Sequence, residues 1–102
     1  MSRKIICLEG ELQGNTIPIS IGSSILIGRD AKKVNLVFRD RTISRLHCKI
    51  ESINDEYYSI TNYSSNGIDT DDGMSISSGE TTNLNIGTVL HIGQAGTKIQ
   101  LI

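Results

Sequence analysis

Three short runs in this 102-residue chain are equipped for chemistry: Gly28-Arg29, Ser44-Arg45-Leu46-His47, and Ser64-Ser65-Asn66-Gly67. Arginine offers a planar fork of donors, serine a hydroxyl, and asparagine both donors and an acceptor. Glycine and asparagine also let backbone amides point outward. Together these groups suit the capture of a phosphate. A phosphorylated side chain carries about -1.5 to -2 charges and three strong acceptor oxygens near neutral pH, so holding it takes a fixed cation and several oriented donors. Covalent chemistry fits less well. Ser44 and His47 lack a Gly-x-Ser-x-Gly elbow and an acid placed to orient the imidazole, so no catalytic residue is assigned and no enzyme is expected. His47, His91, Cys7 and Cys48 show neither Cys-x-x-Cys nor His-x-x-x-His spacing, so no metal site and no cofactor are expected.

The elements that must position these runs are strands. No useful length of sequence repeats apolar residues at helical spacing, whereas short runs rich in Ile, Val, Thr and Tyr alternate with Gly, Asn, Asp and Ser clusters. The pattern predicts strands near residues 4–9, 16–21, 25–28, 36–38, 46–53, 57–62, 67–70, 89–92 and 98–102. Gly10 to Asn15 is expected to be a hairpin connection, with further turns at Ser64–Gly67 and Asp71–Gly73. Many short strands with frequent turns imply an all-β domain, a β-sandwich of two antiparallel sheets whose loops gather at its ends. Arg29 then sits at a loop edge, directly after the apolar strand Ile25-Leu26-Ile27. Tyr57, Tyr58 and Tyr63 are expected to take core or cross-strand places.

Bulk properties set the outer limits. A chain of this length suits one domain with one core, spanning residues 1–102, and its apolar end at Ile102 suits a module of a larger polypeptide. Hydrophobic residues make up 37% and charged residues 21%, within the globular range. The net charge of -1 gives no global pull toward nucleic acid or membrane. Its distribution is uneven: Arg29 to Lys49 holds seven of the ten basic residues against two acids, while Ile50 to Glu80 holds seven acids and no lysine or arginine. Such a split is either solvated surface or an anion-binding edge. Nucleic acid is a poor fit, because aromatics are only 4% of the chain and Phe38 alone interleaves with the basic residues. Two isolated cysteines, with no signal peptide or membrane span, point to buried thiols and a cytoplasmic location without membrane insertion.

The order and spacing of the runs resemble a forkhead-associated (FHA) domain. The resemblance extends from Leu26-Ile27-Gly28-Arg29 through Ile43-Ser44-Arg45-Leu46-His47 and Thr61-Asn62-Tyr63-Ser64-Ser65-Asn66-Gly67 to the closing stretch from Leu84 to Gly93. It implies an eleven-stranded β-sandwich acting as a monomeric module that binds phosphothreonine peptides through loops at one end. By position, Arg29, Ser44 and Ser65 would contact the phosphate, Ser65 standing where the family often has threonine. Arg45 and Asn66 would hold the peptide backbone, His47 would bridge the loops, and Gly28 and Gly67 would permit tight turns. Arg41 and Thr42 lie in the loop that selects the third residue after the phosphothreonine, where an acidic residue would suit Arg41. The chain departs from the pattern after Gly67, where Ile68-Asp69-Thr70-Asp71-Asp72-Gly73 is unusually acidic. Acids beside a phosphate pocket would weaken anion capture or favour a ligand with neighbouring basic residues. They also motivate a second reading, a phosphate-independent scaffold or assembly domain.

Overall fold

Alternation of side chains across the pleat decides which residues of each strand face inward, and the inward positions here are overwhelmingly Ile and Leu. The structure is a computed structural model describing residues 3–102. It contains eleven strands: β1 (Arg3–Glu9), β2 (Thr16–Ile19), β3 (Ser24–Gly28), β4 (Leu36–Val37), β5 (Cys48–Ser52), β6 (Tyr57–Asn62), β7 (Ile68–Thr70), β8 (Ser75–Ile76), β9 (Thr81–Asn85), β10 (Val89–Ile92) and β11 (Thr97–Leu101). There is no helix among the described residues.

Two sheets form the sandwich. The first has the order β2-β1-β11-β10-β7-β8 and the second β4-β3-β5-β6-β9. All pairings are antiparallel except β3 with β4, a two-residue parallel contact of Ile27 with Leu36 and Gly28 with Val37. Between the sheets, Ile5, Cys7, Leu90, Ile92, Ile99 and Leu101 meet Ile27, Cys48, Ile50, Tyr58, Ile60 and Leu84, all almost fully buried. Each large aliphatic side chain so buried contributes about 1.5–3 kcal/mol relative to exposure. Both cysteines are free and buried, and burial pushes the Cys48 thiol up to about 12.

The expected strands are all present with ends shifted by a residue or two, and the sheets add β8 and β9. Tyr58 is core, its hydroxyl donating to the Ile102 carbonyl at 2.6 Å. Tyr63 departs from expectation: it lies beyond the end of β6 and is 46% exposed.

One end of the sandwich collects the loops 29–35, 38–47, 63–67, 77–80 and 93–96. Phe38 and Ile43, from the second of these, are fully buried and plug that end of the core. The acidic turn 71–73 lies at the other end, where the Asp71 amide bonds the Val89 carbonyl at the start of β10. The three residues of β7 therefore carry Asp71 and Asp72 away from the loop that ends at Gly67.

Candidate functional site: a loop platform around Arg29

The platform begins with Gly28, the last residue of β3. A Cβ at this position would collide with the carbonyl oxygen of Arg45, so only glycine lets the β3 end press against the following loop. That contact is stitched by backbone bonds. The Arg29 amide points at the Ser44 and Arg45 carbonyls, each at 3.1 Å, and the Asp30 amide reaches Arg45 O at 3.2 Å.

Arg29 is half-buried, and its Nε donates to the Ile43 carbonyl at 3.0 Å. Because the Ile43 side chain is locked in the core, the guanidinium is aimed by the packing beneath it. The four remaining N–H donors have no protein partner among the described residues, and no carboxylate pairs with Arg29. The guanidinium is held by a neutral carbonyl and has no ion pair among the described residues.

His47 joins the loops. It is only 3% exposed; its amide donates to the Ile27 carbonyl at 2.8 Å, its carbonyl accepts from the Tyr63 amide at 2.9 Å, and its Nδ1 accepts from the Ser44 amide at 3.0 Å. One residue thus ties the end of β3, the loop carrying Ser44 and Arg45, and the loop carrying Ser65 and Asn66. Acceptance at Nδ1 requires a neutral ring protonated at Nε2. Burial holds the imidazole below its ordinary value of 6.5, against an opposing pull from the Asp40 carboxylate. With the folded value depressed, the unfolded chain binds the extra proton first, so stability is full above pH 6.5 and is lost as pH falls below it. Thermal melts of the unliganded protein between about pH 7 and pH 5 should show this decline, and His47→Asn, which keeps an acceptor near Nδ1 but cannot titrate, should flatten it. A wild-type melting point that stays level across that range would refute the assignment.

The third loop is organised by a residue the sequence reading passed over. Asn62, at the inner end of β6 and fully buried, donates from Nδ2 to the carbonyls of Asn66 (2.8 Å) and Ile76 (2.9 Å). Its Oδ1 accepts from the Ser64 amide (2.9 Å) and hydroxyl (2.6 Å). Ser64 is buried, and the single proton of its hydroxyl is shared between Asn62 Oδ1 and the Asn66 carbonyl. Ser65 and Asn66 instead stand exposed at the loop tip. The neighbouring serines have opposite fates: one builds the loop and the other faces solvent. A Cβ at Gly67 would press on the Ser75 hydroxyl at 2.9 Å and make ordinary contact with the Ile76 carbonyl at 3.6 Å.

On the other flank, Glu11 from the β1–β2 hairpin accepts the Arg39 and Asp40 amides at 2.8–3.0 Å, fixing the start of the loop that carries Arg41 and Thr42. Arg41 and Arg45 are exposed, with no ion pair among the described residues. Thr42 is committed internally: its hydroxyl bonds Asp40 Oδ1 at 2.7 Å and accepts the Gln94 amide at 2.8 Å, tying this loop to the β10–β11 turn. The arrangement is a positively charged platform of preset donors. It suits an extended anionic ligand lying across loops.

The family model for the FHA domain matches residues 25–93. In structure the chain is similar to the FHA domain of the CT664 protein from Chlamydia trachomatis, with a TM-score of 0.86 and 25% identity over 100% of this chain and 97% of that one. It is similar to the FHA domain of a hypothetical protein from Arabidopsis thaliana, with a TM-score of 0.83 and 27% identity over 98% and 83% of the two chains. A third likeness is to the MEK1 FHA domain in complex with a phosphothreonine peptide of HOP1, with a TM-score of 0.77 and 21% identity over 98% and 94%. No curated protein matches the chain in sequence.

Proposed function

This chain belongs to the FHA domain family, and from that premise we propose that it binds phosphothreonine-containing segments of a partner protein. The observation that carries this reading is the aimed guanidinium of Arg29, which has no ion pair among the described residues. Ser44 lies immediately beside it, and the Ser65-Asn66 tip is joined to the same loops through His47. In the proposal, Arg29, Ser44 and Ser65 hold the phosphate, and Arg45 and Asn66 hold the peptide backbone. Gly28, His47 and Gly67 shape the loops, and Arg41 stands where it can favour an acidic residue further along the ligand. Thr42 supports that loop from within, because its hydroxyl is already engaged.

The acidic run after Gly67 is the motive for the scaffold reading, and the fold carries two of its three carboxylates away from the platform while Asp69 stays beside it. Asp71 and Asp72 sit at the far end of β7, where His91 Nε2 takes Asp71 and the Thr70 hydroxyl takes Asp72. Neither carboxylate reaches the Arg29 platform. A few charge-assisted hydrogen bonds and a short run of peptide contact support a micromolar dissociation constant, about -8 kcal/mol.

Calorimetric titration with matched phosphothreonine, phosphoserine and unmodified peptides tests the proposal. The phosphothreonine form should bind best and the unmodified form not measurably. Equal binding of all three, or of none, would instead favour a phosphate-independent scaffold.

A further inference from the structure

The outward face of the first sheet carries a row of ionisable side chains at one level of the ladder. Asp69 on β7 lies opposite His91 on β10, His91 lies opposite Lys98 on β11, and Lys98 lies opposite Glu9 on β1. Directly opposed side chains stand about 5 Å apart, close enough to pair. Lys98 Nζ meets Glu9 Oε2 at 3.2 Å, and His91 turns along the strand to Asp71. Asp69 is left over. It is exposed and takes part in no ion pair among the described residues.

That unmatched carboxylate lines a cleft of about 250 Å3, bounded by Gly67, His91, Gly93 and Gln94 and floored by Thr97. The volume lies below the roughly 300–1,000 Å3 of pockets that hold small organic ligands, and suits a single side chain. The cleft also abuts the platform on two sides. Gly67 closes the loop that presents Ser65 and Asn66. Gly93 packs against Ile43, whose carbonyl aims Arg29, and the Gln94 amide bonds the Thr42 hydroxyl at 2.8 Å. A peptide held by its phosphate at Arg29 and by its backbone at Asn66 would bring a neighbouring side chain to the mouth of this cleft.

Resting on the phosphothreonine reading, we infer that the cleft is a subsite for a lysine or arginine side chain of the phosphopeptide, selected by Asp69. The ligand is then bipolar, with its phosphate on the arginine-bearing loops and a basic residue on the β7–β10 edge. Selection works in both directions, because Asp69 attracts a basic side chain and repels an acidic one. An ion pair this exposed is modest and screened by salt. Its signature is a preference of about threefold to fivefold at low salt.

The test uses phosphothreonine peptides of otherwise neutral sequence, with one lysine or one glutamate walked through every position on either side of the phosphothreonine. At one position the lysine peptide should bind about threefold to fivefold tighter than its glutamate twin. Asp69→Asn should abolish the difference and Asp69→Lys should reverse it, while the phosphopeptide carrying neither lysine nor glutamate should bind Asp69→Asn no more weakly than wild type. Equal binding of lysine and glutamate twins at every position, or a preference that survives Asp69→Asn, overturns the subsite and leaves phosphothreonine binding standing. Failure of every phosphopeptide to bind wild type overturns the phosphothreonine reading, and the subsite with it.

Discussion

Replacing Arg29 with alanine should weaken binding of a phosphothreonine peptide by about 30-fold to 150-fold, a loss of roughly 2–3 kcal/mol. The size follows from what the side chain does. One of its donors is spent on the Ile43 carbonyl, which fixes direction, and the outward pair is left to grip two phosphate oxygens at once. Hydrogen bonds to charged groups contribute about 1.5–3 kcal/mol net, and water entering the truncated site keeps the phosphate partly satisfied, so the loss stays near the value of one such bond. In this site the ordering is already done by the buried Ile43 side chain beneath. Arg29→Lys separates charge from geometry: the ammonium keeps the charge but loses the planar fork and the Nε anchor, so it should recover only part of the loss. Arg29 lies outside the core, so melting of both variants should stay near that of wild type. Calorimetry paired with thermal melts checks both halves, and an alanine variant that binds with unchanged affinity would remove Arg29 from the phosphate site.

Much of this architecture was legible in the residues, for a physical reason. Strands β3, β5 and β6 alternate inward and outward side chains over five or six residues, with Ile, Cys and Tyr inward. That period is visible without coordinates. The strands that escaped notice lack it: β8 is two residues long, and β9, Thr81-Thr82-Asn83-Leu84-Asn85, buries only Leu84. Its composition is that of a turn, and only pairing with β6 makes it a strand. The parallel contact of β4 with β3 had no local signal either, since two residues show no period.

At the site, residue types were legible and their orientations were not. Ser64 and Ser65 are interchangeable as letters. What separates them is Asn62, whose partners Asn66 and Ile76 belong to a loop and to another sheet. Tyr63 follows a strand and carries a strand-forming side chain, yet it comes one residue after the ladder ends and turns outward. The acidic run showed the same limit in reverse. Asp71 and Asp72 are near Gly67 in sequence, and β7 carries them to the opposite end, leaving Asp69 as the carboxylate beside the platform.

The largest stability effect is expected at Asn62. All four of its side-chain hydrogen-bonding positions are filled, two as donor and two as acceptor, in a site with no solvent exposure. Asn62→Ala leaves the Ser64 amide and the Ile76 carbonyl without these partners in the interior. Each buried group so orphaned costs about 1–3 kcal/mol, so the variant should lose roughly 3–4 kcal/mol in all. Against a typical total of about 5–15 kcal/mol that is a large share. For a chain of this size the melting point should fall by more than about 10 °C. Ser64→Ala is the milder probe, because it deletes one hydroxyl and leaves the Asn62 bonds to the Ser64 amide, Asn66 and Ile76 in place; roughly 1 kcal/mol is expected. The two residues share a hydrogen bond, so the double variant should cost less than the sum of the singles. Amide exchange at residues 64–66 should quicken in Ser64→Ala while the β5 and β6 ladders stay protected, and phosphopeptide affinity should fall with it because Ser65 and Asn66 lose their support. Strict additivity of the two substitutions, or unchanged exchange in the loop, would show that Asn62 stabilises the sandwich without organising the third loop.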